Sequence, residues 1–128
     1  MLTMEKNPYE NLRVDNRTRL PQPWENYPVL HPGAFKTEIV YIDGYEHAKI
    51  HLGQQDGVWT AGYDFQAGKC GGGCYPGRKW GDFVTERDAR LWVLGEFLTF
   101  DTEDNPLPAA MKKAINVRIF EIRQFTLF

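Results

Sequence analysis

The sequence predicts a mixed α+β domain, and three observations carry that prediction. Segments around 45–52 and 58–66 alternate apolar and polar side chains with the two-residue period of half-buried strands, and Asp-Gly pairs precede both. A segment beginning at Thr85 places apolar residues at helical spacing behind a capping residue. A second helical stripe runs through Met111, Ile115, Ile119 and Ile122. The expected architecture is an antiparallel sheet of three to four strands with one helix packed across it, a second C-terminal helix and an extended N-terminal arm.

Taken in order, residues 1–34 form the arm. Pro8, Pro21, Pro23, Pro28 and Pro32 interrupt any helical or strand period, because each lacks an N–H and biases its predecessor toward extended backbone. Trp24, Tyr27, Val29 and Leu30 place its second half against the domain, since disordered tails seldom carry such residues. From residue 35 to 128 the chain reads as a single α+β domain. Phe35–Asp43 is rich in β-branched and aromatic residues, and Asp43-Gly44 signals a two-residue hairpin. In Tyr45–Leu52, Ala48, Ile50 and Leu52 face one way, while His47, Lys49 and His51 face the other as a solvated surface. Asp56-Gly57 marks the next turn, and Trp59, Ala61, Tyr63 and Phe65 share one face of Val58–Gln66.

Ala67–Gly77, with six residues that are glycine or proline, reads as a loop, and Arg78–Phe83 as a short strand returning to the sheet. Thr85 caps the following helix, with Asp88 three residues on as in a capping box. Ala89, Trp92, Val93 and Phe97 form its apolar stripe, widened by Leu91, Leu94 and Leu98. Asp101–Pro106 is a linker. The second helix starts near Pro108 and is expected to run to about Ile122, although Val117–Leu127 also alternates in strand fashion.

Composition narrows the function classes. The 128 residues are 42% hydrophobic and 25% charged with a net charge of -2, so no global field draws the protein to nucleic acid or to an anionic membrane. Residues 1–12 lack the apolar run of a signal peptide, no stretch has the length of a membrane span, and two cysteines are too few for a secreted scaffold. The cytoplasm is the expected compartment. No paired carboxylates, nucleophile motif or phosphate loop is present, so no catalytic residue and no cofactor is assigned and the protein is read as a non-enzyme. Cys70 and Cys74 with His47 and His51 invite a metal reading. Strand residues four apart lie ~13 Å from each other, too far for two imidazoles to share one zinc, so no metal is expected. A reversible Cys70–Cys74 disulfide within the loop is an intermediate possibility.

Two sets of residues are candidates for partner binding. The glycine loop carries Lys69, Tyr75, Arg78, Lys79 and Trp80, a basic and aromatic combination suited to tracking phosphates and stacking bases of nucleic acid. The final residues Gln124-Phe125-Thr126-Leu127-Phe128 resemble the Q-L-[SD]-L-F pentapeptide with which bacterial replication and repair proteins bind the DNA polymerase sliding clamp. Gln124, Leu127 and Phe128 match its key positions, while Phe125 replaces the usual leucine and Thr126 the usual serine or aspartate. The resemblance implies an extended peptide whose apolar anchors enter a groove and whose glutamine supplies orienting hydrogen bonds. Residues 57–98, through Trp59, Gly62, Tyr63, the glycine cluster, Pro76, Gly81, Phe83, Thr85 and Ala89, resemble small modules of phage- and plasmid-encoded DNA-associated proteins. The same strand–glycine–strand–helix order is similar to that of the DNA-sensing WGR domain, but Trp80-Gly81 is followed by Asp82 where that family has arginine. The favoured expectation is an accessory protein of a mobile element that docks on the sliding clamp through 124–128. The alternative is a nucleic-acid-binding module using 67–80.

Overall fold

The computed structural model describes residues 6–125, and within them the chain is α+β. Four antiparallel strands, β1 (Lys36–Asp43), β2 (Glu46–Gln55), β3 (Val58–Ala67) and β4 (Cys70–Cys74), form a sheet in sequence order. Two-residue turns join them at Gly44-Tyr45, Asp56-Gly57 and Gly68-Lys69. Helices α1 (Glu86–Thr99) and α2 (Ala109–Phe125) follow, and their apolar residues merge with one sheet face in a single core.

Strand alternation decides which face that is. Ala48, Ile50 and Leu52 of β2 and Ala61, Phe65 and Ala67 of β3 are buried with Leu91, Val93, Leu94 and Phe97 of α1 and Met111, Ile115 and Ile119 of α2. Phe65 stacks on Phe97 at 5.3 Å between ring centroids, and Phe100 closes on Phe65 at 4.8 Å. The register of β1 shifts between Ile39 and Tyr41, so that Val40 and Tyr41 both pack toward the core opposite Ala48. Helix α1 begins as expected: the Asp88 N–H donates to the Thr85 hydroxyl at 3.0 Å. Helix α2 begins directly after Pro108, whose carbonyl accepts from the Lys112 N–H.

Three expectations need correction. The glycine run is not a loop throughout, because Cys70–Cys74 pairs with Tyr63–Ala67 as an edge strand. Its stability comes from backbone hydrogen bonds, which glycine makes as well as any residue, and side-chain propensity carries no signal for it. Arg78–Phe83 is not a regular strand. Arg78–Trp80 forms a short 3-10 turn, Arg78 Nε donates to the Asp82 carboxylate at 3.4 Å and curls the segment, and only single bridges follow, Asp82 to Val14 and Phe83 to Trp59. The helix expected to end near Ile122 continues to Phe125.

The arm lies against this body along much of its length. Val14 exchanges two backbone hydrogen bonds with Asp82, and the buried Asn16 donates to the Arg78 carbonyl and the Asp82 carboxylate. Leu20 is buried, and Leu30 donates to the Pro76 carbonyl. At its start, Asn7 donates to the Trp92 carbonyl at 2.8 Å and to Glu96 at 2.9 Å. That approach requires Gly95: a methyl group there would lie 2.0 Å from Asn7 Oδ1. Around it, Glu10 accepts from the Trp92 indole, and Arg13 lies over the same ring.

Charge ties three elements together at one edge. Glu38 of β1 accepts two hydrogen bonds from Arg90 of α1, at 2.6 and 2.9 Å, and faces Arg118 of α2 at 3.6 Å. Burial alone would raise the Glu38 carboxyl, but the Arg90 hydrogen bonds, with the charges of Arg90, Lys36 and Arg118, hold it below its ordinary 4.5. A depressed carboxyl stabilises the fold fully above the unfolded value, and that contribution is lost as pH falls through the lower, folded one. Glu38→Gln should therefore lower stability at pH 7 by about 1–3 kcal/mol and flatten the loss of stability below pH 4.5, as measured by urea denaturation across pH. Gly95→Ala should displace Asn7, with a loss of about 1–3 kcal/mol and faster proteolysis within residues 6–13, read by limited digestion followed by mass spectrometry.

Candidate functional site

The helices cover one face of the sheet, and the opposite face carries the polar half of each alternating strand. Thr37 and Ile39 of β1, His47, Lys49 and His51 of β2, Gly62 and Asp64 of β3 and Gly73 of β4 share it by register. A shallow cavity of about 380 Å³ opens on it, lined by His51, Tyr63, Asp64, Gly73, Cys74 and Tyr75.

Its geometry follows from one close approach. Beyond β4 the chain turns at Tyr75-Pro76 and crosses directly over Gly62, where a methyl group would lie 2.2 Å from the Cys74 carbonyl oxygen and 2.9 Å from Pro76 N. Only glycine admits that crossing, and it brings the Tyr75 ring beside the sheet. Tyr75 then packs on Phe35 at 5.4 Å and meets His51 edge-on at 6.4 Å, while Phe35 and His51 are 4.9 Å apart.

This cluster changes the reading of His51. Expected on a solvated face, it is only 9% exposed, because Phe35 and Tyr75 cover it. Its Nδ1 lies 2.8 Å from the Thr37 hydroxyl. Burial holds the imidazole below its ordinary range, opposed by the Asp64 carboxylate and reinforced by the Lys49 ammonium, so the ring is neutral at pH 7. His47 is half-buried, with Nε2 2.9 Å from Asp64 Oδ1 and Nδ1 3.0 Å from the Tyr45 carbonyl. The Asp64 side chain remains 51% exposed.

Tyr63 and Cys74 contribute to the lining from the other direction. The Tyr63 ring packs on Phe97 and Phe100 of the helix side, and register sets Cys74 opposite it on that side. Burial pushes the Cys74 thiol up and the Tyr63 phenol up to about 12, so neither offers an anionic nucleophile at neutral pH. Cys70 and Cys74 stand four residues apart on one extended strand, ~13 Å at strand rise. A disulfide needs its Cα atoms within about 7 Å, so the Cys70–Cys74 bridge is excluded while β4 is formed. Among the described residues, no group of three or more His, Cys, Asp or Glu is placed to hold a metal ion.

The residues expected to bind nucleic acid are divided by the fold. Lys69 sits in the β3–β4 turn, with its N–H bonded to Asn105, at the opposite end of β4 from the others. Arg78 is committed to Asp56 at 3.1 Å and to Asp82 at 3.4 Å. Tyr75, Lys79 and Trp80 do come together: the Trp80 indole N–H donates to the Tyr75 carbonyl, and Lys79 Nζ lies 4.9 Å from the Trp80 ring centroid while donating to the Glu25 carbonyl. Sequence reasoning missed Phe35, His51 and Asp64 as their neighbours. The alternation that places His51 and Asp64 on one face was visible, but the crossing at Gly62 was not.

Of the residues expected to bind a sliding clamp, Gln124 is exposed in the last turn of α2, and Phe125 is that helix's final residue. Both are helical where an extended peptide was expected. Leu127 and Phe128 lie outside the described residues. No helix among the described residues is long and apolar enough to cross a membrane. No family model matches the chain, and neither a curated protein nor a solved structure matches it.

Proposed function

We propose that the chain is a non-enzymatic accessory protein of a phage or mobile element, and that Gln124–Phe128 docks on the bacterial DNA polymerase sliding clamp. The spacing of Gln124, Leu127 and Phe128 carries this reading. A structural observation makes it mechanically feasible. Ile119 and Ile122 of α2 pack on the core, whereas Gln124 is exposed. The last turn of a helix leaves carbonyls without intrahelical partners, so opening it beyond Arg123 breaks few backbone hydrogen bonds. Gln124 and its successors are then free to extend into a groove, with Leu127 and Phe128 as the buried anchors.

The test is a titration of the whole protein against purified bacterial sliding clamp, alongside Leu127→Ala with Phe128→Ala and the single variant Gln124→Ala. The double variant should abolish binding with little change in melting temperature, and Gln124→Ala should weaken binding while shifting stability by no more than about 0.5 kcal/mol. Wild-type protein that ignores the clamp at high micromolar concentration sinks the proposal. So does a double variant that loses several kcal/mol of stability, since these residues would then belong to the protein's own core.

A further inference from the structure

We infer that the open-face cavity is a binding site for one unpaired base of single-stranded DNA, stacked on Tyr75 and read by Asp64. This goes beyond the clamp-docking reading and is independent of it, because the cavity and residues 124–128 share no residue.

Three features select a flat, hydrogen-bonding ring. The floor is sheet backbone at Gly73 of the edge strand, where no side chain rises, so a planar group can lie close to it. The wall is the Tyr75 ring, 44% exposed, packed on Phe35 and met edge-on by the lining residue His51. A braced aromatic ring offers stacking area at little cost in side-chain freedom. At the far side stands Asp64, whose Oδ1 is engaged by His47 and whose side chain is half exposed. An ionised carboxylate only accepts hydrogen bonds. It therefore favours the exocyclic amino group of cytosine over the edge of thymine, whose single N3–H donor is flanked by two acceptor oxygens that repel a carboxylate.

The surroundings favour a base attached to phosphate over a cationic side chain, which would also suit a tyrosine beside an aspartate. Lys49 stands directly opposite Asp64 on the same sheet face and repels a second cation there. Next to the wall, Trp80 is 39% exposed and Lys79 lies over it, a second stacking surface with positive charge suited to the neighbouring nucleotide. A strand is a better match than a free nucleotide because these two surfaces are adjacent, joined by the Trp80–Tyr75 hydrogen bond.

The experiment is fluorescence anisotropy of the full chain with labelled twelve-nucleotide oligodeoxycytidine and oligodeoxythymidine at low salt, compared with Tyr75→Phe, Tyr75→Leu and Asp64→Asn. The oligodeoxycytidine should bind more tightly, Tyr75→Phe should retain binding, and Tyr75→Leu should weaken it about tenfold, in line with the loss of one stacked base. Asp64→Asn should bring the two oligonucleotides to within about twofold of each other, because an amide donates to the thymine oxygen as readily as it accepts. Should Tyr75→Leu fail to fold, the Asp64→Asn selectivity decides alone. No binding, or equal binding of both oligonucleotides by the wild type, overturns the inference. Deoxycytidine monophosphate binding as tightly as the oligonucleotide overturns the assignment to a strand. An arginine-rich peptide that displaces the oligonucleotide from the wild type but not from Asp64→Asn overturns the assignment to a base.

Discussion

Everything in this molecule depends on the pairing register of β2 with β3. The side-chain period of a strand is two, so a slip of one residue would exchange Ala48, Ile50 and Leu52 for His47, Lys49 and His51 beneath the helices. The two-residue turn at Asp56-Gly57 fixes that register, and the one at Gly44-Tyr45 sets the start of β1 pairing against the other edge of β2. With it fixed, the aromatic packing of Phe65, Phe97 and Phe100 has one arrangement, and α1 has one seat. The polar face is then defined by default: whatever does not meet the helices meets solvent or the segments that cross the sheet from outside it.

Helices seal one side of the sheet, while two elements from outside the sheet work on its margins. At one edge the carboxylate of Glu38 gathers arginines from both helices, so that β1, α1 and α2 share one electrostatic anchor. At the other, the segment from Tyr75 to Phe83 is held by the arm through Val14 and Asn16 and by the β2–β3 turn through Asp56. The position of the Tyr75 ring is thus set by contacts whose residues are scattered from 14 to 82.

That scatter explains what could be read from the sequence. Strands β1 to β3 and helix α1 were legible because each writes its own signal: alternation around Ile50 and Phe65, or the Thr85 cap with its hydrogen bond to Asp88. The start of α2 after Pro108 was legible for the same reason. Strand β4 was not, because Gly71, Gly72 and Gly73 have no side chains with which to show a period, and their pairing rests on the partner strand. Nor was the site. The burial of His51 depends on a ring sixteen residues before it and another twenty-four after it, Phe35 and Tyr75, brought together only by the crossing over Gly62. The docking of Asn7 at Gly95 is equally silent in sequence, since a glycine inside a helical stripe normally reads as a weakness in that helix.

The same arm contacts impose an order on folding. The hairpins close across two residues each, the shortest and fastest loops the chain can form. Asn16 meets Arg78 and Asp82 across separations of 62 and 66 residues, and Asn7 meets Trp92 and Glu96 across 85 and 89. Contacts that distant bear the largest loop-closure entropy and are formed after the surfaces that receive them exist. During synthesis the arm therefore has no seat at Asn16 until residues 78–82 are made, and none at Asn7 until α1 is made.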